Sequence, residues 1–131
     1  MSRVAVRFVA LFALAFLPGC NRTLHLELPS DTPVRLVTDL PIRSDGVTPD
    51  KEVLLQPEAP EYKRLQEWVA HNQNGWSQSF AASPGGGIRV HSGNLHLHFV
   101  DGAVFTWTDK GAFQKEIREE DYAFLKKLAG I

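Results

Sequence analysis

At 131 residues the chain has room for one domain of ordinary size plus appendages, and a content of 44% hydrophobic and 22% charged residues excludes a disordered polymer. Of the 14 basic residues, Arg3 and Arg7 fall in the first 19 positions, so the part beyond them carries 12 basic against 15 acidic groups, about -3. That balance excludes a nucleic-acid binder, and no basic run or stripe appears: basic side chains adjoin only as the pairs Lys63 with Arg64 and Lys126 with Lys127, on what read as solvated helix faces.

The amino terminus carries the strongest signal. Arg3 and Arg7 form a short positive region ahead of an uninterrupted apolar run, Phe8 to Leu17, that ends in Pro18, Gly19 and Cys20. A membrane-spanning helix needs about 20 apolar residues, whereas the apolar core of an export signal needs roughly 7 to 15, so ten residues fit the second. Leu17, Pro18, Gly19 and Cys20 resemble the lipobox of bacterial lipoproteins, in which a Leu precedes two small residues and the cysteine that accepts diacylglycerol. Pro18 stands where that motif usually has a small or β-branched residue. The resemblance covers the first 20 residues only. It implies cleavage between Gly19 and Cys20, a lipid on Cys20 and, with Asn rather than Asp at position 21, sorting to the periplasmic side of the outer membrane.

Cysteine usage agrees. Cys20 is the single cysteine, so no internal disulfide can form, and thioether attachment to lipid would remove the one thiol and any nucleophilic role for it. One acyl chain attaches reversibly, while the two or three implied by the resemblance make a lasting anchor.

Residues 20–59 read as the lipidated cysteine followed by a tether. Prolines at 29, 33, 41, 49 and 57 bar any useful helix, and the 39 residues from Asn21 to Ala59 would reach roughly 130 Å if fully extended. Leu24, Leu26 and Leu28 alternate with His25 and Glu27, and Val34 to Thr38 and Val53 to Leu55 are apolar enough to pair with a sheet edge. The stretch is therefore either a spacer or a segment that docks on the domain beyond it.

The compact domain is expected over residues 60–131. Proline suits the first helical turn, and Tyr62, Leu65, Trp68, Val69 and Asn72 then mark one helix face up to Asn74-Gly75. Trp76, Gln78 and Phe80 alternate with serines as a strand. The Ser83 to Gly87 connection lacks the Lys-Ser or Lys-Thr ending that phosphate cradling needs. Ile88 to His91, Asn94 to Val100 and Ala103 to Thr108 are separated by Ser92-Gly93 and by Asp101-Gly102, the latter a favoured type I′ pair; Asp109 to Gly111 turns into a fourth strand, Ala112 to Ile117. Glu119, Glu120 and Asp121 open a last helix, Lys126 and Lys127 lie near its end, and Gly130 caps it. The expected class is α+β: a small antiparallel meander of three to four strands flanked by an N-terminal and a C-terminal helix.

Alternation assigns two faces to the meander. Ile88, Val90, Leu95, Leu97, Phe99 and Val104 form a core for the helices, while Arg89, His91, Asn94, His96, His98, Phe105 and Trp107 point the other way, with His98 opposite Phe105 and His96 opposite Trp107. Exposed aromatics beside His and Arg are the expected binding surface, either for a partner or for the tether. His91, His96 and His98 give an alternative reading as a metal-binding or sensing face, which lacks a fourth ligand at metal spacing. Nucleophile elbows, paired metal motifs and dinucleotide fingerprints are not legible, so no enzyme activity and no cofactor are expected. The composite expectation is a membrane-anchored, periplasm-facing module that binds an envelope component; neutralising a toxin is an alternative. Cys20→Ser should abolish metabolic lipid labelling and leave uncleaved precursor, whereas the unaltered chain labels and fractionates with membrane; equal labelling of the two would end the lipoprotein reading.

Overall fold

The computed structural model describes residues 22–39, 50–80 and 85–131; the residues read as an export signal, with Gly19 and Cys20, lie outside the described residues. In chain order the elements are β1 (Val34–Asp39), β2 (Asp50–Leu55), α1 (Pro60–His71), β3 (Ser77–Gln78), β4 (Ile88–Ser92), β5 (Leu95–Val100), β6 (Ala103–Thr108), β7 (Gly111–Glu116), a single 3-10 turn (Glu119–Asp121) and α2 (Ala123–Ala129). The seven strands form one sheet in the order β2-β1-β4-β5-β6-β7-β3, with every pairing antiparallel.

The α+β class is as expected, and β4 to β7 are the meander. The sheet is wider than three or four strands because the stretch read as a tether supplies two of them. β1 pairs with β2 on one side and with β4 on the other, for example Leu36 with Val53 and with Val90. Pro33 and Pro57 lie outside these two strands, so the prolines that forbid helix leave two six-residue runs free to join a ladder. Val34 and Leu36 are fully buried while Arg35 between them is exposed, which is the two-residue period of a half-buried strand.

One row shows how the core is assembled. Leu36, Val90, Leu97, Thr106 and Phe113 are successive cross-strand partners from β1 to β7, and none is more than 1% exposed. Both helices pack on this face. α1 buries Tyr62, Leu65, Trp68 and Val69, and α2 with the residue before it buries Tyr122, Leu125 and Ala129. Phe99 on β5 joins the layers: Trp68 meets it edge-on at 5.0 Å between ring centroids and Tyr122 stacks on it at 5.4 Å. Such pairs contribute about 0.5–1.5 kcal/mol each beyond area burial. The Arg64 guanidinium lies 4.5 Å from the Phe124 ring centroid and ties α1 to α2 at the surface.

The segment ahead of β1 is also bound to the domain. Arg22 exchanges two backbone hydrogen bonds with Trp76, and the Leu24 amide donates to the Gln73 carbonyl at 2.7 Å. The Gln73 side chain then acts as a peptide group: its oxygen accepts from the Leu26 amide at 2.8 Å and its nitrogen donates to the Leu26 carbonyl at 2.9 Å. The Tyr62 hydroxyl meets the carbonyls of Pro29 and Thr32, and Leu24 and Leu28 are buried.

The turns differ from expectation in an instructive way. Ser92 pairs with Leu95, so the first hairpin loop is Gly93-Asn94 rather than Ser92-Gly93. This moves the register by two residues, which preserves both faces and changes only which side chains are direct neighbours. The second loop is Asp101-Gly102 as expected, yet only Gly102 has positive φ, so it is not type I′, which needs positive φ at both positions. β3 is cut to two residues: Trp76 is fully buried, whereas Phe80, placed on the same side by alternation, is 88% exposed.

A fragment starting at Pro57 would lack β1 and β2, strip Leu36 from Val90 and leave β4 as an open edge. It should lose cooperative denaturant unfolding, while a fragment starting at Arg22 keeps it; cooperative unfolding of both would show that the first two strands are dispensable.

Candidate functional site

The face opposite the helices carries two neighbouring rows. One runs Arg35, His91, His96, with Trp107 beside Ala112 further along; the other runs Val37, Arg89, His98, Phe105, Gln114. Five of the six side chains expected to make the binding surface, Arg89, His91, His96, Phe105 and Trp107, are half-buried here. His98 departs from expectation. It is fully buried, and its Nε2 lies 2.6 Å from the Gly86 carbonyl oxygen, an atom that only accepts, so Nε2 carries the proton. Its ring also neighbours Trp107, near-parallel at 6.4 Å between centroids, and Phe105 at 6.5 Å.

The glycine-rich stretch accounts for this burial. Gly87 has φ +75°, and a Cβ there would overlap the Phe99 carbonyl oxygen, so no side chain fits and the backbone approaches β5 closely enough for Gly86 to reach His98. Sequence spacing identifies a glycine-rich connection but not the neighbour that makes glycine necessary.

His91 and His96 stand directly opposite each other across the first hairpin, with their Nδ1 atoms 2.8 Å apart and the rings edge to face. One nitrogen must donate and the other accept, so the contact cannot survive with both rings doubly protonated. Burial pushes the His91 pKa below its usual 6.5, and the charges of His96, Arg35, Arg89 and His98 push it the same way. Arg35 itself pairs with Glu52 on β2 at 2.9 Å, an exposed ion pair screened by solvent.

The alternative metal reading is not carried by this geometry. Among the described residues no group of three His, Cys, Asp or Glu side chains is placed to hold an ion. His98 has committed Nε2 to Gly86, the Nδ1 atoms of His91 and His96 face one another, and the cationic surroundings that lower the His91 pKa oppose a metal cation equally.

A cleft of about 710 Å³ opens at the end of the sheet where the Gly93-Asn94 and Asp109-Lys110 loops meet the segment ahead of β1. His25, Leu26 and Glu27 form one wall, Asn94, Leu95 and His96 another, and Thr106 to Asp109 the third. His96 and Trp107 thus belong both to the expected surface and to the cleft, whereas Arg89, His91, His98 and Phe105 do not line it. His25, Glu27 and Asp109 are additions that sequence reasoning missed, whereas Asn94 is already expected on the face of His96 and Trp107. For His25 and Glu27 the alternation with Leu24, Leu26 and Leu28 is the signal, and it does not say where the segment docks; Asp109 reads from the sequence as a turn residue alone.

Among the described residues no helix is long and apolar enough to cross a membrane. Compared with known proteins, the chain matches no family model, no curated protein and no solved structure.

The lowered His91 pKa has a defined consequence for stability. An unfolded chain takes up a proton near the usual value while the folded one resists, so stability is full above about 6.5 and falls as pH drops toward the lowered folded value. His91→Asn should therefore reduce the fall in urea midpoint between about pH 7.5 and about pH 5. An unchanged fall would mean that the acid sensitivity lies elsewhere.

Proposed function

We propose that this chain is a lipid-anchored protein of the bacterial envelope that faces the periplasm and binds a partner or ligand through the His96–Trp107 end of its sheet. The anchor rests on the basic and apolar amino terminus and on the lipobox-like Leu17 to Cys20 with Asn21 behind it. The binding role rests on one observation: both helices pack on the same sheet face, and the other face presents Phe105, Trp107, His91 and His96 half-buried beside a cleft. The cleft supplies hydrogen-bonding and stacking groups, which fits recognition better than chemistry, and this favours a binding protein over an enzyme.

The test separates the two faces of one hairpin pair. Changing His96 and Trp107 together to serine should lower recovery of an envelope partner by affinity capture while costing little stability, because half-exposed aromatics contribute more to binding than to the core. Leu97→Ala, one residue away but 1% exposed on the core side, should instead cost about 2–5 kcal/mol through the cavity it leaves. If the double change unfolds the protein and Leu97→Ala does not, the reading fails.

A further inference from the structure

We propose that the cleft is a saccharide-binding site, taking a short chain of neutral or N-acetylated hexoses with Trp107 as its stacking platform. The inference rests on the binding role above and names the chemistry of what is bound.

The lining decides the class. Six lining side chains carry usable chemistry, His25, Glu27, Asn94, His96, Trp107 and Asp109, while the Thr106 and Thr108 hydroxyls are engaged with backbone groups. Glu27, Asn94, Asp109 and His25 are exposed, and His96 and Trp107 are half-buried. A sugar ring has an apolar face of axial C–H groups and a rim of hydroxyls, each of which donates and accepts. One aromatic plane beside a mixed set of donors and acceptors matches it: carboxylates accept, the Asn94 amide does both, the His25 imidazole offers one donor and one acceptor when neutral, and His96, whose Nδ1 faces His91, offers Nε2. Other ligand classes fit less well. A lipid tail needs a mainly apolar wall, and Leu26, Leu95 and Trp107 are the only large apolar side chains on it. An anionic ligand would meet Glu27 and Asp109. A cationic amine would use those carboxylates and the indole, but would leave the amide and imidazole donors without acceptors. The volume of about 710 Å³ lies within the roughly 300–1,000 Å³ of ordinary ligand sites, which suits more than one sugar ring.

The wall formed by His25 and Glu27 is held without using their side chains. Leu24 and Leu28 are buried on either side of them, and the Gln73 side chain grips Leu26 by both of its peptide groups. Side chains at alternate positions are therefore turned toward the opening, so the segment ahead of β1 acts as a rigid lip.

The full chain in detergent should be titrated with N-acetylchitotetraose, cellotetraose and maltotetraose by calorimetry and by tryptophan emission. Trp68 is 8% exposed and Trp76 is fully buried, so a change in emission on binding reports on Trp107. At least one tetrasaccharide should bind saturably, Trp107→Ala should weaken it by more than about tenfold, and Trp107→Tyr should restore part of the affinity. Asn94→Ala and Asp109→Asn should each weaken it several-fold with an unchanged thermal midpoint. No saturable binding of any of the three up to about 10 mM overturns the proposal. Binding that Trp107→Ala leaves intact overturns it, as does tighter binding of tetralysine than of any sugar. An envelope protein captured through His96 and Trp107 while all three sugars fail would overturn the saccharide and keep the broader binding role. Saturable sugar binding that needs Trp107, with no envelope protein captured, would support both, with the sugar as the ligand.

Discussion

The hydrogen-bonded seam between β1 and β4 is the constraint on which the rest of this protein depends. On one side lies a two-stranded hairpin and on the other a four-stranded meander extended by β3, and neither half is wide enough alone to cover two helices. Joined, they place Leu36 against Val90 and continue one buried row to Phe113. The width of the sheet then dictates the course of α1. The helix follows β2 at one edge and precedes β3 at the other, so the chain must traverse six interstrand gaps, roughly 29 Å at about 4.8 Å each. Twelve helical residues cover about 18 Å of that, and the flanking residues 56–59 and 72–76 supply the remainder. The helix is thus laid across the sheet with Tyr62, Leu65, Trp68 and Val69 beneath it, and its far end sits where Gln73 can hold Leu26.

That same traverse builds the cleft. Because α1 ends near β3, the extended segment of residues 22–33 is drawn along it by Trp76, Gln73 and Tyr62, and comes to rest beside the loops at one end of the meander. Three pieces distant in sequence, around positions 26, 95 and 107, then share one opening. Two of the six residues of the expected surface are used differently. His98 is consumed by packing under Gly86, and His91 is engaged with His96, so the accessible chemistry shifts from the middle of the face to its end.

Much of this architecture is legible in local pattern. Alternation from Ile88 to Thr108 assigns each side chain to its face, and a two-residue error in the first loop leaves that assignment intact because the strand period is two. The helical face of α1 and the αL glycine at position 130 follow equally from spacing and capping chemistry, whereas Glu119 to Asp121, expected to open the last helix, form a 3-10 turn of their own ahead of α2. What pattern cannot convey is partnership. Val34 to Asp39 is apolar and proline-free whether it hangs in solvent or pairs with β4, since a strand acquires its hydrogen bonds from residues remote in sequence.

Composition and order of residues alone determined the α+β class and the two faces of the meander, and they alone carry the proposal of an anchor at Cys20, because each depends on neighbours within a turn or a hairpin. Only the tertiary structure decided that the presumed tether supplies two strands, that His98 is buried against a carbonyl and that His25 and Glu27 join Trp107 around one cleft. Those outcomes depend on contacts between residues from about 12 to more than 80 positions apart, and no local periodicity encodes which distant surfaces will meet.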